Sequence, residues 1–462
     1  MKKLLAMLLC LVMVFSLCAC GNEEAAETKK EGDATKPTEE VLNQGPARLT
    51  ATITFGHNLT DAQVESINHR LQPFYARFPG VQVIFKYMDG PVTAENAPTI
   101  FICDPDEVPA YAEAGLLMDM NQWIDAELWV TYEGSSEMHD FGLNDENKED
   151  MEALFAEEGK QFGDGATYLL PFSGNILVMY YNATMFDENE LESSPCISWE
   201  ELVENCRKIK EIDPDSVPLA INQLDETFLT LCAQQGVNFV TDDWQSVFGA
   251  EGKLVAKELN ALYRKGYLTT AGIEGTVLDL VENGDRARNY IVVDYSSNAW
   301  EMVPALDNEA YEYETDVMSV SRLAGESPKV FSYSSGIAIC QTEDEELATA
   351  AWLLAKFMSV EASFQGGLAK DTSTIPTTKS AWLDEEFGRY LNESNGGSGL
   401  AGLVGLLAQD QENYRFTVSS FAGSAEIREQ ITALIEQCLT FTGDVETQIA
   451  EAFDAALAAL EQ

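Results

Sequence analysis

Basic residues are scarce in this sequence. Its 462 residues include 28 lysines and arginines against 77 aspartates and glutamates, so its formal net charge is −49. A chain with this charge is repelled by nucleic acid and by anionic membrane surfaces. We therefore expect no nucleic-acid partner. The charge favours solubility, but it does not identify a ligand, because the electrostatic potential in a binding pocket is set by the residues around it.

Histidine and paired cysteine are also scarce. The chain has three histidines, and its cysteines beyond the N-terminal segment lack the CxxC spacing that zinc sites prefer. We therefore predict no metal site. Several of these cysteines lie in apolar runs such as "TIFIC" and "GIAIC", which favours buried free thiols; pairing, with Cys196 and Cys206 nearest in sequence, is the alternative. The six are Cys103, Cys196, Cys206, Cys232, Cys340 and Cys438.

Motifs of common catalytic sites are missing. The sequence contains no G-x-S-x-G elbow, no HExxH pair and no catalytic Cys–His signature. We therefore predict no catalytic residue and no cofactor. A retaining glycoside hydrolase needs only two carboxylates about 5–5.5 Å apart, a spacing that sequence does not show. An exported hydrolase stays open as an alternative for that reason.

The N-terminus has the pattern of a targeting segment. Lys2 and Lys3 precede the apolar run Leu4–Leu17, which is short for a membrane span. The ending "LCAC" resembles the bacterial lipobox, which implies a signal peptide over 1–19 and a lipid-carrying Cys20 as the first mature residue; plain secretion is the alternative. Residues 20–47 are charged and almost free of large apolar residues, so we expect a flexible tether. The expected location is the outer face of the cell membrane.

The globular part begins near Arg48 with alternating strands and helices. "RLTATITF" alternates as a strand does, Thr60 with Gln63 offers a helix capping box, and Pro73 should kink or break the helix that follows. "FPGVQVIFKY" and "APTIFIC" supply two further strands. This β-α-β order predicts an α/β fold with a mostly parallel sheet.

A second α/β block follows a weakly patterned acidic stretch at 133–165. It begins with the strand "LPFSGNILVMYYN", and Ser198 with Glu201 offers another capping box. "YIVVDY" and "SGIAIC" are later strand candidates, and helices are predicted over 254–263, 347–358, 427–438 and 449–460. A chain of this length favours two or three folding units. We therefore expect two α/β lobes with more than one crossing between them.

Six segments, in order, resemble the extracellular solute-binding proteins of family 1, the carbohydrate-type receptors of ABC importers. They include "YLLPFSGNILVMYYNATMF" and "FAGSAEIREQI", and the full set is 53–83, 111–125, 168–186, 198–211, 334–376 and 421–431. The resemblance covers nearly everything from Leu49 onward. It implies a two-lobe periplasmic-binding-protein fold of type II, with a ligand cleft between hinge-linked lobes. Lobe 1 would hold 48–167 plus 331–378, and lobe 2 would hold 168–330 plus 379–462.

The resemblance also implies candidate ligand contacts. Sugar recognition needs aromatic faces against the C–H face of the ring and fixed polar groups for the hydroxyls. Candidates at the expected strand ends and crossings are His57, Asn58, Asp104, Ser173, Asn175, Ser296, Ser297, Trp300, Ser335, Gly336 and Arg415. Seven of them have a structural alternative: helix entry for His57 and Asn58, a helix N-terminal acid for Asp104, a turn for Ser173 and Asn175, core packing for Trp300, and a surface ion pair for Arg415.

Three positions depart from the family pattern. Gly56 stands where many relatives have a tryptophan, Thr374 stands where glycerol-3-phosphate receptors have a tyrosine, and residues 86–98 form a short loop where relatives usually carry a helix. The resemblance implies a monomeric receptor that closes over a sugar, oligosaccharide or polyol and delivers it to an ABC permease. The departures keep a non-sugar ligand, such as glycerol phosphate or a peptide, as an alternative.

Overall fold

The fold is taken from a computed structural model of the chain. It describes residues 49–131, 138–160, 164–239, 245–274, 289–302, 313–323, 328–393 and 399–460. The predicted signal peptide, Cys20 and the tether to residue 47 lie outside these ranges. Within them, no helix combines the length and the apolar character that crossing a membrane requires.

Twelve strands are formed by the described residues. They are β1 Ala51–His57, β2 Val81–Tyr87, β3 Ile100–Cys103, β4 Trp129–Thr131, β5 Met138–Asp140, β6 Leu170–Asn182, β7 Leu219–Ile221, β8 Leu268–Thr270, β9 Ile291–Tyr295, β10 Thr315–Ser319, β11 Val330–Ile339 and β12 Arg415–Phe416.

The α-helices fill most of the intervals between these strands. They are α1 Asp61–Arg70, α2 Gln72–Arg77, α3 Val108–Glu113, α4 Asn121–Ile124, α5 Asp145–Asp150, α6 Ala153–Glu158, α7 Ala183–Glu188, α8 Trp199–Ile212, α9 Leu224–Gln234, α10 Ala250–Arg264, α11 Ala271–Glu274, α12 Glu345–Val360, α13 Ala362–Thr372, α14 Lys379–Trp382, α15 Glu385–Glu393, α16 Leu400–Asp410, α17 Ser424–Leu439 and α18 Val445–Leu460. Short 3-10 helices follow β3 at Pro105–Glu107, precede α10 at Gln245–Phe248 and follow β9 at Ser296–Trp300.

The main sheet has the order β2-β1-β3-β11-β6-β9-β7-β8. β1 pairs in parallel with β2 and β3, and β7 pairs in parallel with β8 and β9. The long strands β6 and β11 run antiparallel to each other and join these two parallel sets. The predicted parallel pairing is therefore confirmed within each set, whereas the joining ribbon is antiparallel.

Two hydrophobic clusters flank this ribbon. The first surrounds β1–β3 and takes Leu170 and Phe172 from the start of β6, whereas the second surrounds β7–β9 and takes 176–181 from its end. β11 is divided in the same way, since Ile337 packs in the first cluster and Phe331 in the second. The ribbon strands thus belong to both cores, which confirms two α/β lobes and more than one crossing.

Local signals set the helix boundaries. Both predicted capping boxes are present, with Thr60 and Ser198 as the N-caps of α1 and α8. Pro73 lies in the first turn of α2, directly after the break that ends α1. Proline is tolerated there because the first N–H groups of a helix have no intrahelical acceptor. The predicted break is confirmed.

Two further predictions concern the cysteines and the loop after β2. The six cysteines of the described residues are free thiols, and all but Cys196 are buried, as predicted. Residues 88–99, all of which the structure describes, contain no helix. At Gly56 a Cβ atom would lie 2.7 Å from Pro98 Cγ, so this chain leaves no space there for a larger side chain.

Candidate ligand cleft

A cavity of about 360 Å³ lies beside the crossing ribbon, where strands of both lobes end. We call it the main cavity. It is lined by residues of β3, β6 and β11, of the segments after β1 and β3, of the turn after β9, and of α1 and α13. Six predicted ligand contacts line it: Asn58, Asp104, Ser173, Asn175, Ser297 and Ser335. The structure therefore brings together residues that are up to 277 positions apart in the sequence.

A second cavity of about 200 Å³, the inner cavity, adjoins the first. Asp104 and Tyr333 line both of them. The remaining walls of the inner cavity include two further carboxylates, two further aromatic rings and one guanidinium: Asp106, Glu158, Tyr295, Phe331 and Arg428. We refer to the two cavities together as the cleft.

Asn175 connects the ribbon to the turn after β9. Its Oδ1 accepts hydrogen bonds from Ser296 Oγ at 3.1 Å and from the Ser297 N–H at 3.2 Å. Ser296 is fully buried, and its Oγ also accepts the Ile176 N–H at 3.2 Å. Asn175 and Ser296 thus fix the position of Ser297 at the cavity wall. Asn175 of "PFSGN" is required because two backbone segments meet inside the core there.

Asp294, directly before this turn, holds the same region together. Its carboxylate is fully buried and accepts hydrogen bonds from Asn222 at 2.8 Å, Gln223 at 2.9 Å and Asn298 at 2.9 Å. A buried carboxylate needs several donors, because leaving it unpaired costs a few kcal/mol. Its role is to fix the segments after β7 and β9, the second of which lines the main cavity.

Asp104, directly after β3, is held by a side chain of the neighbouring strand β11. Ser335 Oγ donates to Asp104 Oδ1 at 2.7 Å. Burial raises the pKa of the Asp104 carboxyl, and the negative charge of Asp106 adds to this, whereas the bond from Ser335 and the charge of Arg428 oppose it. An acceptor with fixed geometry therefore faces both cavities.

Arg428 comes from α17 and spans the end of the cleft. Its guanidinium pairs with Asp225 at 2.7 Å, with Asp106 at 3.5 Å and with Glu226. It also lies 5.8 Å from the ring centroid of Phe331. Asp225 and Glu226 belong to α9 beside the second cluster, whereas Asp106 follows β3. One arginine thus links carboxylates from the two sides of the cleft.

Glu158 lies at the end of α6 and is 2% exposed. Its carboxylate accepts the N–H and Oγ–H of Ser334, each at 2.9 Å, and the Oγ–H of Thr417 at 2.8 Å. Burial raises its pKa to about 8, although these hydrogen bonds favour the charged form. Glu158 thus joins α6, β11 and the C-terminal segment at the inner cavity.

Several predicted contacts lie away from the cavity walls. His57 is buried behind Asn58, where Nδ1 accepts the Leu59 N–H at 3.2 Å, and burial lowers its pKa. Gly336 is buried in the ladder opposite Cys103. Ser296 lies behind Ser297. The side chain of Trp300 is outside the part of the chain that the structure describes.

Arg415 differs most from its prediction. Its side chain is 2% exposed, its Nη2 lies 2.9 Å from Glu152 Oε2, and its guanidinium lies 5.8 Å from the Phe155 ring centroid. The suggested surface ion pair is therefore wrong, because this pair is buried. Arg415 lines neither cavity. β12, which carries it, pairs with β11 and turns the side chain toward α6.

Apart from Asp104, which was predicted, sequence reasoning missed Glu158, Arg428 and the aromatic rings of the inner cavity. Tyr295 directly precedes the predicted Ser296, and Tyr333 lies two positions before Ser335 on the same strand. Strand period alone could have placed Tyr333 beside Ser335. Glu158 and Arg428 carry no such signal, because tertiary packing alone brings their helices to the cleft. Across the described residues, no three His, Cys, Asp or Glu side chains are arranged to hold a metal ion.

Solved structures with the same fold are receptors from several bacteria. The chain superposes on the cyclic α-maltosyl-1,6-maltose binding protein of Arthrobacter globiformis with a TM-score of 0.68 and 18% identity, covering 89% of this chain and 99% of that one. The superposition on the GacH receptor of Streptomyces glaucescens has a TM-score of 0.66 and 18% identity, and it covers 90% of this chain and 100% of that one. The superposition on UgpB of Mycobacterium tuberculosis, solved with glycerophosphocholine, has a TM-score of 0.67 and 15% identity, and it covers 89% of this chain and 98% of that one. These matches confirm the two-lobe periplasmic-binding-protein fold.

The sequence itself also matches a family model. None of the curated proteins compared with the chain matches it. Residues 88–392, more than half of the chain, match the family described as bacterial extracellular solute-binding protein. The chain therefore belongs to the bacterial extracellular solute-binding proteins.

Proposed function

We propose that this protein is a receptor that captures a carbohydrate between its lobes and delivers it to the permease of an ABC importer. The observation that carries the proposal is the main cavity, whose polar walls come from both lobes and from the ribbon between them. Hydroxyl, amide and carboxylate groups at fixed positions are what a sugar requires. The named ligands of two structural neighbours, a cyclic maltosyl-maltose and acarbose, support this class of solute.

The proposed ligand contacts are those predicted residues that line the main cavity. Asn58, Asp104, Ser173, Ser297 and Ser335 present side chains at its walls, and Asn175 lies between the wall and the core. Ser296 holds the wall in place through Asn175. We assign a structural role to His57, Gly336 and Arg415, and we leave Trp300 as a proposed aromatic contact.

The proposed lobes keep their sequence boundaries, 48–167 plus 331–378 and 168–330 plus 379–462. The division of β6 and β11 between the two hydrophobic clusters supports them. Phe155 and Ile375 pack with the second cluster although they fall within the lobe 1 ranges, which places them at the interface. A ligand that contacts both walls gains its full set of contacts only in the closed form, so its differential affinity drives closure.

The proposed mechanism involves binding without chemistry. The family consists of binding proteins, and the cleft holds its ligand through hydrogen bonds and ring contacts. Cys20 would anchor the protein through its acyl chains on the extracellular face of the cell membrane, with residues 20–47 as the tether. Replacement of Cys20 by serine should release the protein from the membrane fraction and abolish labelling by a fatty-acid analogue.

The test of the receptor function is a thermal-shift screen with saccharides and polyols, followed by calorimetry and by chromatography of each ligand after incubation. The expected result is a raised melting temperature for at least one carbohydrate, with stoichiometric binding and unchanged ligand. Hydrolysis products would identify an enzyme instead. If no carbohydrate binds at millimolar concentration, the proposed ligand class is wrong.

A further inference from the structure

The cleft carries an excess of negative charge. Four carboxylates line its two cavities: Asp104, Asp106, Glu107 and Glu158. Among the described residues that line either cavity, Arg428 is the one basic side chain. Its guanidinium already forms ion pairs with Asp106 and with Asp225 and Glu226 of α9. Asp104 and Glu158 accept hydrogen bonds from hydroxyl and backbone N–H groups, and among the described residues neither forms an ion pair with a basic side chain.

Aromatic rings stand beside these carboxylates. Tyr295, Phe331 and Tyr333 line the inner cavity; the Tyr295 and Tyr333 centroids are 5.3 Å apart, and the Phe331 and Tyr333 centroids are 6.0 Å apart. The faces of such rings attract cations, most strongly where water is excluded. The approach of Arg428 to Phe331 shows that a cation already uses one of these rings.

A further acidic group, which is paired with Arg428, lies directly behind the cavity wall. Glu226 is 2% exposed, and its Oε2 has no hydrogen-bond partner, although Tyr295 Oη donates to its Oε1. Burial also raises the pKa of the carboxyls of Asp104 and Glu158. Buried carboxylates disfavour a second anion beside them and are stabilised by a cation.

We infer that the natural ligand carries a cationic amino group, which enters the inner cavity between Asp104, Glu158 and the rings of Tyr295 and Tyr333, while its hydroxyls face the main cavity. This rests on the proposed carbohydrate function and narrows it to an amino-bearing sugar or polyol. An ammonium group supplies the N–H donors that carboxylates accept, and the cavity of about 200 Å³ exceeds the ~30 Å³ share of one water several-fold. Phosphorylated sugars carry the wrong charge for this site.

The test compares three β-1,4-linked oligosaccharide series that differ only at carbon 2: cello-oligosaccharides with a hydroxyl, chitosan oligosaccharides with an amine and chitin oligosaccharides with an acetamide. Calorimetry at about pH 6, where the amine is protonated, should give affinity about tenfold or more higher for the amine series, since a hydrogen bond to a charged group contributes that much. Malto-oligosaccharides and a phosphorylated sugar complete the panel, and choline chloride serves as a small cation without a sugar.

The outcomes separate the two proposals. Tighter binding of the amine series supports both of them. Equal or tighter binding of any neutral or phosphorylated saccharide overturns the inference and leaves the carbohydrate receptor standing. A thermal shift with choline but with no saccharide supports the cation site and contradicts the carbohydrate ligand. If no compound of the panel binds, both the carbohydrate function and the cation site are overturned.

Matched variants locate the effect. Asp104→Asn and Glu158→Gln keep the size of each side chain and prevent its ionisation, so each should lower amine affinity by about tenfold more than it lowers the affinity for neutral analogues. Melting temperatures identify a variant that fails to fold, and the other then carries the test. Asp454→Asn removes an exposed carboxylate that pairs with Lys253 at 2.6 Å outside the cleft and should bind as the wild type does. Equal losses for amine and neutral ligands would overturn the inference.

Discussion

Polar residues inside the long strand β6 serve two different purposes. Ser173 is partly exposed and lines the main cavity, whereas Asn175 is 6% exposed and accepts hydrogen bonds from Ser296 and Ser297. Their spacing of two puts both on the same face of the strand. One residue is therefore available to a ligand, and the other holds the wall against which that ligand binds.

This difference predicts different effects of two alanine substitutions. Ser173→Ala should weaken carbohydrate binding by about 3–10-fold with unchanged stability, because it removes one wall hydroxyl. Asn175→Ala should lower the free energy of unfolding by about 1–3 kcal/mol, since Ser296 Oγ and the Ser297 N–H lose their acceptor. Urea denaturation and calorimetry check the two effects. A Ser173 variant that is as destabilised as the Asn175 variant would contradict the division of roles.

Glu158 predicts how stability depends on pH. Burial raises its folded-state pKa to about 8 from an ordinary value of about 4.3. Between these pH values the folded protein binds a proton at Glu158 that the unfolded chain does not bind. The contribution of this proton to the free energy of unfolding is therefore complete below about pH 4.3 and is lost as pH rises towards 8, by about 1 kcal/mol per pH unit. Glu158→Gln should flatten that slope. Urea midpoints at pH 5, 6, 7 and 8 measure it, and equal slopes for wild type and variant would refute the assignment.

At the residue level, a position at the cleft could be predicted from sequence where a strand end or crossing marked it. Asn58, Asp104 and Ser297 follow predicted strands, and strand ends meet at a sheet edge, so their place at the cleft could be anticipated. Glu158 lies in the acidic stretch whose pattern was too weak to assign α6. The buried position of Arg415 could not be read from the sequence, because the register of β12 against β11 depends on contacts far apart in sequence.

At the level of elements, Gly174 determines how the ribbon meets the segment after α13. Gly174 and Ile375 exchange two backbone hydrogen bonds, of 2.9 and 2.8 Å. A Cβ at position 174 would lie 2.6 Å from Ile375 Cγ1, 2.9 Å from the Ile375 carbonyl oxygen and 3.1 Å from Phe155 Cζ. Since one of these atoms is backbone, the contact cannot be relieved by a side-chain rotation alone.

Gly174→Ala should therefore lower the free energy of unfolding by about 1–3 kcal/mol, the usual cost of overpacking a core. The matched control is Gly388→Ala in the interior of α15, where a Cβ meets nothing within 4 Å. That change should be neutral or stabilise by up to about 1 kcal/mol, because alanine has the higher helix propensity. Denaturant midpoints of both variants measure the two effects. Equal changes in the free energy of unfolding would show that the close approach of Ile375 is unimportant.

Elements with local signals were the predictable ones. The capping boxes at Thr60 and Ser198 and the break at Pro73 each depend on side chains within one helical turn. The short strands β10 and β12 were not predicted, because they exist only through pairing with β6 and β11. Such pairing is stabilised by partners distant in sequence, and no local pattern reports it.

At the level of the whole molecule, Arg428 connects the two walls of the cleft. It lies on α17 in the proposed lobe 2, and its 3.5 Å contact with Asp106 reaches the segment after β3 in the proposed lobe 1. Its stronger partners, Asp225 and Glu226, are on its own side. Loss of Asp106 would leave the guanidinium paired, so the Asp106 contact can report on lobe closure separately from folding.

Asp106→Asn should shift the unliganded protein towards the open form. The pair is about one-quarter exposed, so it is worth about 1 kcal/mol, which corresponds to about a fivefold change in the open-to-closed ratio. Small-angle scattering should show a larger radius of gyration without ligand and recovery at saturating ligand, with affinity lowered by a similar factor. Asp454→Asn, which breaks an ion pair within lobe 2, serves as the control. Unchanged scattering and affinity in the Asp106 variant would mean that this contact does not help to hold the lobes together.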